Sequence, residues 1–411
     1  MKTRTLKTVF VYTGILALQF FVCGTIYLSQ VYHLLNYFTE DMVTTIAMTW
    51  NYLAQASGML IFIFLFMRVP RLSCSRISYA VLIVIGTITT AISLLSDHGD
   101  TALFFTVIFN FMIGLSSGFC LTLLTSYIPK RILGLSFGIA YAVGSIGSYI
   151  ISNVGNGNFL QSKSVIIVYL LINIIRIIIL YYSDDIFSSD ADKAKADIKH
   201  IRNKLRKNIQ IYLIIALMII LVNVIMTLGN DFQLASIKNG KANLPLSRAF
   251  YAISLSCAGL LSVKSRKLLA IACFVSLLYP VVTIAITGDS AFASALLTIT
   301  YLFMGFSSVF RSLSVMDIAA GDRKLLAFAC SGLMLSRVAE ATYSFLLPIN
   351  VNNKILANIL FSVLYALLLI LFFVYMQKTN HTAALERYDV EADYVSFAQK
   401  YGLTPREKEI L

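Results

Sequence analysis

Two charged residues stand three positions apart in an otherwise apolar run, Leu335-Ser336-Arg337-Val338-Ala339-Glu340-Ala341-Thr342-Tyr343. On a helix that spacing puts both on one face, about 60° apart. A charged side chain at mid-bilayer costs about 2.5–3.5 kcal/mol on insertion scales, so such groups pair internally or line a polar space that a ligand can enter. Glu340 is the carboxylate that lies deep within an apolar run. Arg176 and Arg311 fall toward the cytoplasmic ends of their runs, where a long side chain reaches the headgroups. Neutral polar groups interrupt other runs: Gln19, Asn51, Asn110 and Asn223, with the sole tryptophan, Trp50, beside Asn51. Taken singly, each is the kind of residue that hydrogen-bonds one membrane helix to another.

Covalent chemistry is not written in the chain. No Gly-x-x-x-x-Gly-Lys phosphate loop occurs, and no pair of carboxylates stands at helical spacing within a run. The cysteines (Cys23, Cys74, Cys120, Cys257, Cys273, Cys330) form no CxxC pair and read as small core residues. His33, His98, His200 and His381 are scattered, so no metal cluster is expected. The reading is of a protein that is not an enzyme and needs no cofactor.

The elements that hold these residues are set by composition. Of 411 residues, 58% are hydrophobic and 13% charged, with a mean hydropathy of +0.80. Soluble domains carry about 25% charged residues, so a soluble enzyme is excluded. Apolar runs of helix-spanning length recur over Val9–Tyr32, Val43–Met67, Ile77–Leu95, Ala102–Tyr127, Leu133–Ile151 and Val165–Tyr182. Six more cover Ile209–Leu228, Leu246–Val263, Leu268–Ile286, Ala291–Ile318, Leu325–Leu347 and Ile355–Met376. The eighth is short and carries Arg248, yet without it the alternation of basic loops would break. The first is too long for a signal peptide and lacks a cleavage site. The net charge of +13 falls mostly on the loops that share a side with the N-terminus. That asymmetry is the positive-inside pattern of a bacterial-type inner membrane protein, with both termini, and the central loop, cytoplasmic. It is not a nucleic-acid footprint.

The predicted organisation is an all-α membrane protein in two six-helix halves, residues 1–183 and 209–377, joined by a cytoplasmic linker over 184–208. Gly114-Leu-Ser-Ser-Gly-Phe119 in span four matches Gly305-Phe-Ser-Ser-Val-Phe310 in span ten, and each is followed by a basic turn, Lys130-Arg131 and Arg323-Lys324. The match is a trace of duplication. Gly134-x-x-x-Gly138 in span five lets a neighbouring helix approach closely.

Six plus six spans with a cytoplasmic central loop resemble the major facilitator superfamily, whose repeats meet at a midplane site. The motifs depart from that family. The loop after Gly58 reaches Arg68-Val-Pro-Arg71 without an acid, Asn110 stands where an arginine is common before Gly114, and span five lacks the antiporter Pro-Gly pattern. The resemblance implies that span eleven faces a central cavity. It makes Gln19, Trp50, Asn51, Asn110, Asn223, Arg337 and Glu340 candidate contacts for an unknown small molecule.

Beyond Met376 the chain turns polar. A helical tail is expected over 378–402, with Leu385, Tyr388, Ala392 and Val395 on one face and Gly402 as its cap. Residues 403–411 begin Leu403-Thr404-Pro405-Arg406-Glu407, which carries a capping box and a first-turn proline. That run resembles the start of a LuxR-type helix-turn-helix. The resemblance implies the membrane sensor of a transcriptional regulator, reaching DNA only through a domain absent from this chain. The alternative is a facilitator-type secondary transporter of a small solute. In either case the bilayer is the first partner.

Overall fold

Each apolar run forms a helix, because a backbone in hydrocarbon must satisfy its own N–H and C=O groups. The computed structural model describes residues 2–69, 75–154, 159–182, 209–227, 244–279, 291–342, 355–356 and 358–378. The first half comprises α1 (Lys2–Leu34), α2 (Glu40–Arg68), α3 (Arg76–Leu95), α4 (Gly99–Tyr127), α5 (Lys130–Asn153) and α6 (Val165–Tyr182). The second comprises α7 (Ile209–Thr227), α8 (Leu244–Lys264), α9 (Arg266–Ser276), α10 (Ala291–Ala320), α11 and α12 (Asn358–Lys378). Helix α11 opens as a 3₁₀ helix over Arg323–Cys330 and continues as an α-helix over Ser331–Glu340. Among the described residues, nine helices are long and apolar enough to cross a membrane. The linker expected over 184–208, and the tail from 379 onward with its Leu403–Glu407 run, lie outside the described residues.

Local chemistry sets the helix starts. Ser75 Oγ accepts from Ile77 N at 3.2 Å ahead of α3, and Ser265 Oγ accepts from Leu268 N at 3.3 Å ahead of α9. Asp322 Oδ1 accepts from Lys324 N at 3.0 Å ahead of α11. Helix α2 carries a π-helical turn over Ile46–Trp50. Such a turn inserts a residue and re-aims the side chains after it.

Within a membrane, small residues let helices pack by close van der Waals approach. A Cβ on Gly114 of α4 would meet the backbone of Gln55 in α2, and one on Gly305 of α10 would lie 2.5 Å from Leu255 N in α8. The duplicated glycines therefore hold equivalent crossings, α4 on α2 and α10 on α8. Gly138 packs on Gly259 of α8, with a built Cβ 3.1 Å from Gly259 Cα, so the Gly134–Gly138 pair serves the junction between halves. The halves meet along α5 with α8, and along α2 and α4 with α11.

The helices turn apolar faces outward, as at Phe64, Ile167 and Ile370, all more than half exposed. The interior holds a large apolar core that runs through both halves.

Candidate functional site

Glu340 is the hub of an ionic cluster. Its Oε2 accepts from Arg337 Nη1 at 2.5 Å, and its Oε1 accepts from Arg311 Nη1 at 2.7 Å. Arg311 also donates to Asn223 Oδ1 at 2.5 Å. Ser336 Oγ lies 3.0 Å from both Asn223 Oδ1 and Glu340 Oε1, so its one proton serves either. The Arg337 guanidinium stands over the Tyr52 ring, 4.6 Å from the centroid. Helices α7, α10 and α11 of the second half thus meet α2 of the first. One carboxylate answers two guanidinium groups.

Neither Arg311 nor Arg176 reaches the headgroups, contrary to the expectation from their sequence positions. They are 4% and 2% exposed. Arg311 is held inward by Glu340 and Asn223. Arg176 donates to Gln19 Oε1, to Tyr79 OH at 2.5 Å and to Asn173 Oδ1 at 3.0 Å, and it lies over the Tyr79 ring. Gln19 and Tyr79 sit on α1 and α3, so the pull inward comes from other helices, while Asn173 is on the same helix α6. Charge-assisted hydrogen bonds of this kind contribute about 1.5–3 kcal/mol each, comparable to the cost of keeping a charge from the interface.

Beside the cluster run two sets of phenols. Tyr27 of α1 and Tyr52 of α2 lie parallel at 6.3 Å, and Tyr27 OH donates to Met48 Sδ at 3.6 Å. Tyr141 of α5 meets Tyr251 of α8 edge-on at 5.3 Å, and Tyr251 meets Tyr301 of α10 at 6.2 Å. Tyr251 OH and Ser308 Oγ are 2.6 Å apart. Tyr27 and Tyr52 form one set, beside Arg337, and Tyr141, Tyr251 and Tyr301 form a second across α5, α8 and α10. Arg248 Nη1 donates to Gly24 O at 3.3 Å, and Ser145 Oγ donates to Arg248 O at 2.8 Å, tying α8 to α1 and α5. These five tyrosines, with Arg248, Arg337 and Glu340, are half-buried. Tyr141 with Tyr251, and Tyr52 with Arg337, meet across the junction between the halves.

The candidates read from sequence fall in different places. Arg337, Glu340 and Asn223 stand together in the cluster. Gln19 is fully buried within the first half, where Nε2 donates to Ser116 Oγ at 2.7 Å and Ser117 Oγ at 3.2 Å. Asn110 accepts from Gln55 Nε2 at 2.7 Å and donates to Thr106 O at 2.9 Å, which joins α4 to α2. Asn51 is 1% exposed, with its amide unbonded within the protein. Trp50 is 58% exposed and stands apart from the cluster. Sequence reasoning missed Arg248 and the five tyrosines. For Tyr52, Tyr141 and Tyr301 the available signal was a tyrosine well inside its run, since an interfacial anchor belongs at the end of a span; Tyr27 and Tyr251 lie near run ends and gave no such signal.

A separate apolar cleft of about 190 Å³ lies between α7, α10 and α11, lined by Tyr212, Val315, Leu325 and Leu335 among others.

No protein-family model matches the sequence, and neither does any curated protein. Solved structures do match the fold. They include the nucleoside transporter NupG (TM-score 0.56, 13% identity, covering 90% of this chain and 99% of that one). FucP, a major facilitator superfamily transporter in the outward conformation, gives a TM-score of 0.60 at 13% identity, with 90% and 99% covered. The proton:xylose symporter XylE gives 0.58 at 15%, with 92% and 96% covered. The fold is that of the major facilitator transporters, twelve membrane helices in two six-helix halves.

Proposed function

We propose that the protein binds a small solute in the tyrosine-lined space between its halves and carries it across the membrane as a secondary transporter. The observation that supports this most is the meeting of these groups across the junction. Tyr141 of the first half meets Tyr251 of the second, and Tyr52 of the first meets Arg337 of the second. A site built from both halves feels any rocking of one against the other, which is the physical basis of alternating access. Both termini are cytoplasmic in this reading, and the membrane is a bacterial-type inner membrane. Of the residues singled out from sequence, Arg337, Glu340 and Asn223 are the contacts this reading keeps, with Asn51 as a free amide. Gln19 and Asn110 hold helices together.

A second reading, a membrane sensor that signals to DNA, is favoured by the Leu403-Thr404-Pro405-Arg406-Glu407 run and by the missing acid in the α2–α3 loop. Purified protein in sealed vesicles separates the two. A transporter accumulates its solute against a gradient, and collapse of the ion gradient empties the vesicles. A sensor binds without accumulation, and its coding sequence continues past Leu411 into the rest of a helix-turn-helix. Saturable binding with no uptake under any imposed gradient overturns the transport reading.

A further inference from the structure

The charge balance of the junction narrows the solute. Arg311 and Arg337 meet on Glu340, which among the described residues is the carboxylate paired with them, and Arg248 stands on the same junction between halves, against α1 and α5. Arg248 makes its hydrogen bond to a neutral carbonyl, Gly24 O. Among the described residues the site therefore holds a positive surplus in a low-dielectric interior, where an opposite charge is strongly attracted and a like charge repelled. Guanidinium forks match the two oxygens of a carboxylate. The remaining lining is phenolic, with ring centroids 5.3–6.3 Å apart across α1, α2, α5, α8 and α10, parallel for Tyr27–Tyr52 and edge-on for the other two pairs. Flat rings of this kind pack best against a flat apolar body.

A neutral polyol fits poorly. Its hydroxyls could use the phenols and the Asn51 amide, but they would leave the arginines without an opposite charge, and the other buried amides are engaged elsewhere. Gln55 holds Asn110, Gln19 holds Ser116 and Arg176, and Asn223 holds Arg311. A cation meets three arginines.

We infer that the solute of the junction site is a small organic anion, a carboxylate carried on a planar apolar body. The inference rests on the solute-binding reading above. In it, Arg248 and Arg337 hold the carboxylate while Tyr52, Tyr141 and Tyr251 enclose the body. Arg311 stays with Glu340 and keeps that carboxylate from competing.

Four probes applied to the full chain in detergent test it by calorimetric titration. Benzoate, benzamide and benzamidine share a shape and differ in charge, and acetate carries the head without the body. Benzoate should bind at least about tenfold more tightly than each of the others. Arg248→Gln should lower benzoate affinity by about tenfold or more and leave benzamide unchanged. Arg248→Lys should recover part of the loss, since charge returns without the fork. A benzamide or benzamidine affinity equal to that of benzoate overturns the anionic class and leaves the junction site standing. Acetate binding as tightly as benzoate overturns the planar body. Benzoate binding that survives Arg248→Gln, in a variant that elutes and melts like the parent, overturns the assignment of the head. If none of the four binds, the inference fails, while the solute-binding reading stands or falls by the vesicle experiment above.

Discussion

Glu340 carries more of the local electrostatics than either arginine it pairs with. Removing its charge leaves Arg311 and Arg337 uncompensated in the interior, whereas removing Arg337 leaves Glu340 still bonded to Arg311 and Ser336. Breaking a buried ion pair from one side costs about 3–5 kcal/mol. Glu340→Gln should therefore lower the apparent melting temperature well below that of Arg337→Gln, compared in the same detergent. Equal effects would mean that the cluster is not organised around the carboxylate. Much of the site was hidden from the sequence for a reason visible at these residues. The Arg337–Glu340 spacing is local, so an i,i+3 pair can be read from the chain alone. Arg311 and Arg176 are governed by Asn223, Glu340, Gln19 and Tyr79, which come from other helices, and a rule about span ends cannot anticipate them. The five tyrosines become a site only when five helices converge.

At the scale of elements, small residues set how closely the halves approach. A Cβ at Gly138 would stand 2.6 Å from Leu255 O and 3.1 Å from Gly259 Cα, both backbone atoms that cannot rotate away. Nothing lies within 4 Å of a Cβ at Gly14. Gly138→Ala should thus cost about 1–3 kcal/mol as overpacking, while Gly14→Ala should be neutral or stabilising by about 0.5–1 kcal/mol through helix propensity. Thermal unfolding of the two variants side by side checks the contrast, and tolerance at Gly138 would contradict the α5–α8 crossing. A polar clasp acts at the ends of α9 and α10. Arg266 donates to Asp317 at 2.7 and 3.1 Å, to Ser262 O at 2.5 Å and across the halves to Lys130 O at 2.5 Å. Asp317→Asn leaves that guanidinium half-buried without its carboxylate and should cost about 1–3 kcal/mol; a melting temperature unchanged from the parent would show that the clasp contributes nothing. The helices themselves were legible from the length of the apolar runs, and the repeated Gly-x-Ser-Ser pattern fell at equivalent crossings. The π turn at Ile46–Trp50 and the 3₁₀ opening of α11 were not, because both arise from packing that composition does not record.

On the scale of the molecule, the halves touch near both ends of α11. Thr122 Oγ1 of α4 donates to Leu326 O at 3.3 Å near one end, and Thr49 Oγ1 of α2 donates to Ala341 O at 3.2 Å near the other. Fifteen residues separate Leu326 from Ala341, a rise of about 22 Å at 1.5 Å per residue. In the proposed transport reading, a solute held between these contacts leaves when one of them opens, and net transport requires each to open in turn. Pairs of cysteines at 122 with 326, and at 49 with 341, in a chain cleared of its own cysteines, would lock one contact at a time under oxidation. Either lock should abolish uptake into vesicles while leaving binding measurable from the unlocked side, and reduction should restore transport. A sensor behaves differently, since it needs access from one side only. In that case one lock would abolish binding and the other would leave both binding and its downstream signal intact. Uptake that continues with either pair oxidised would mean that the two halves do not gate the junction, and the central site would lose its place in the transport path.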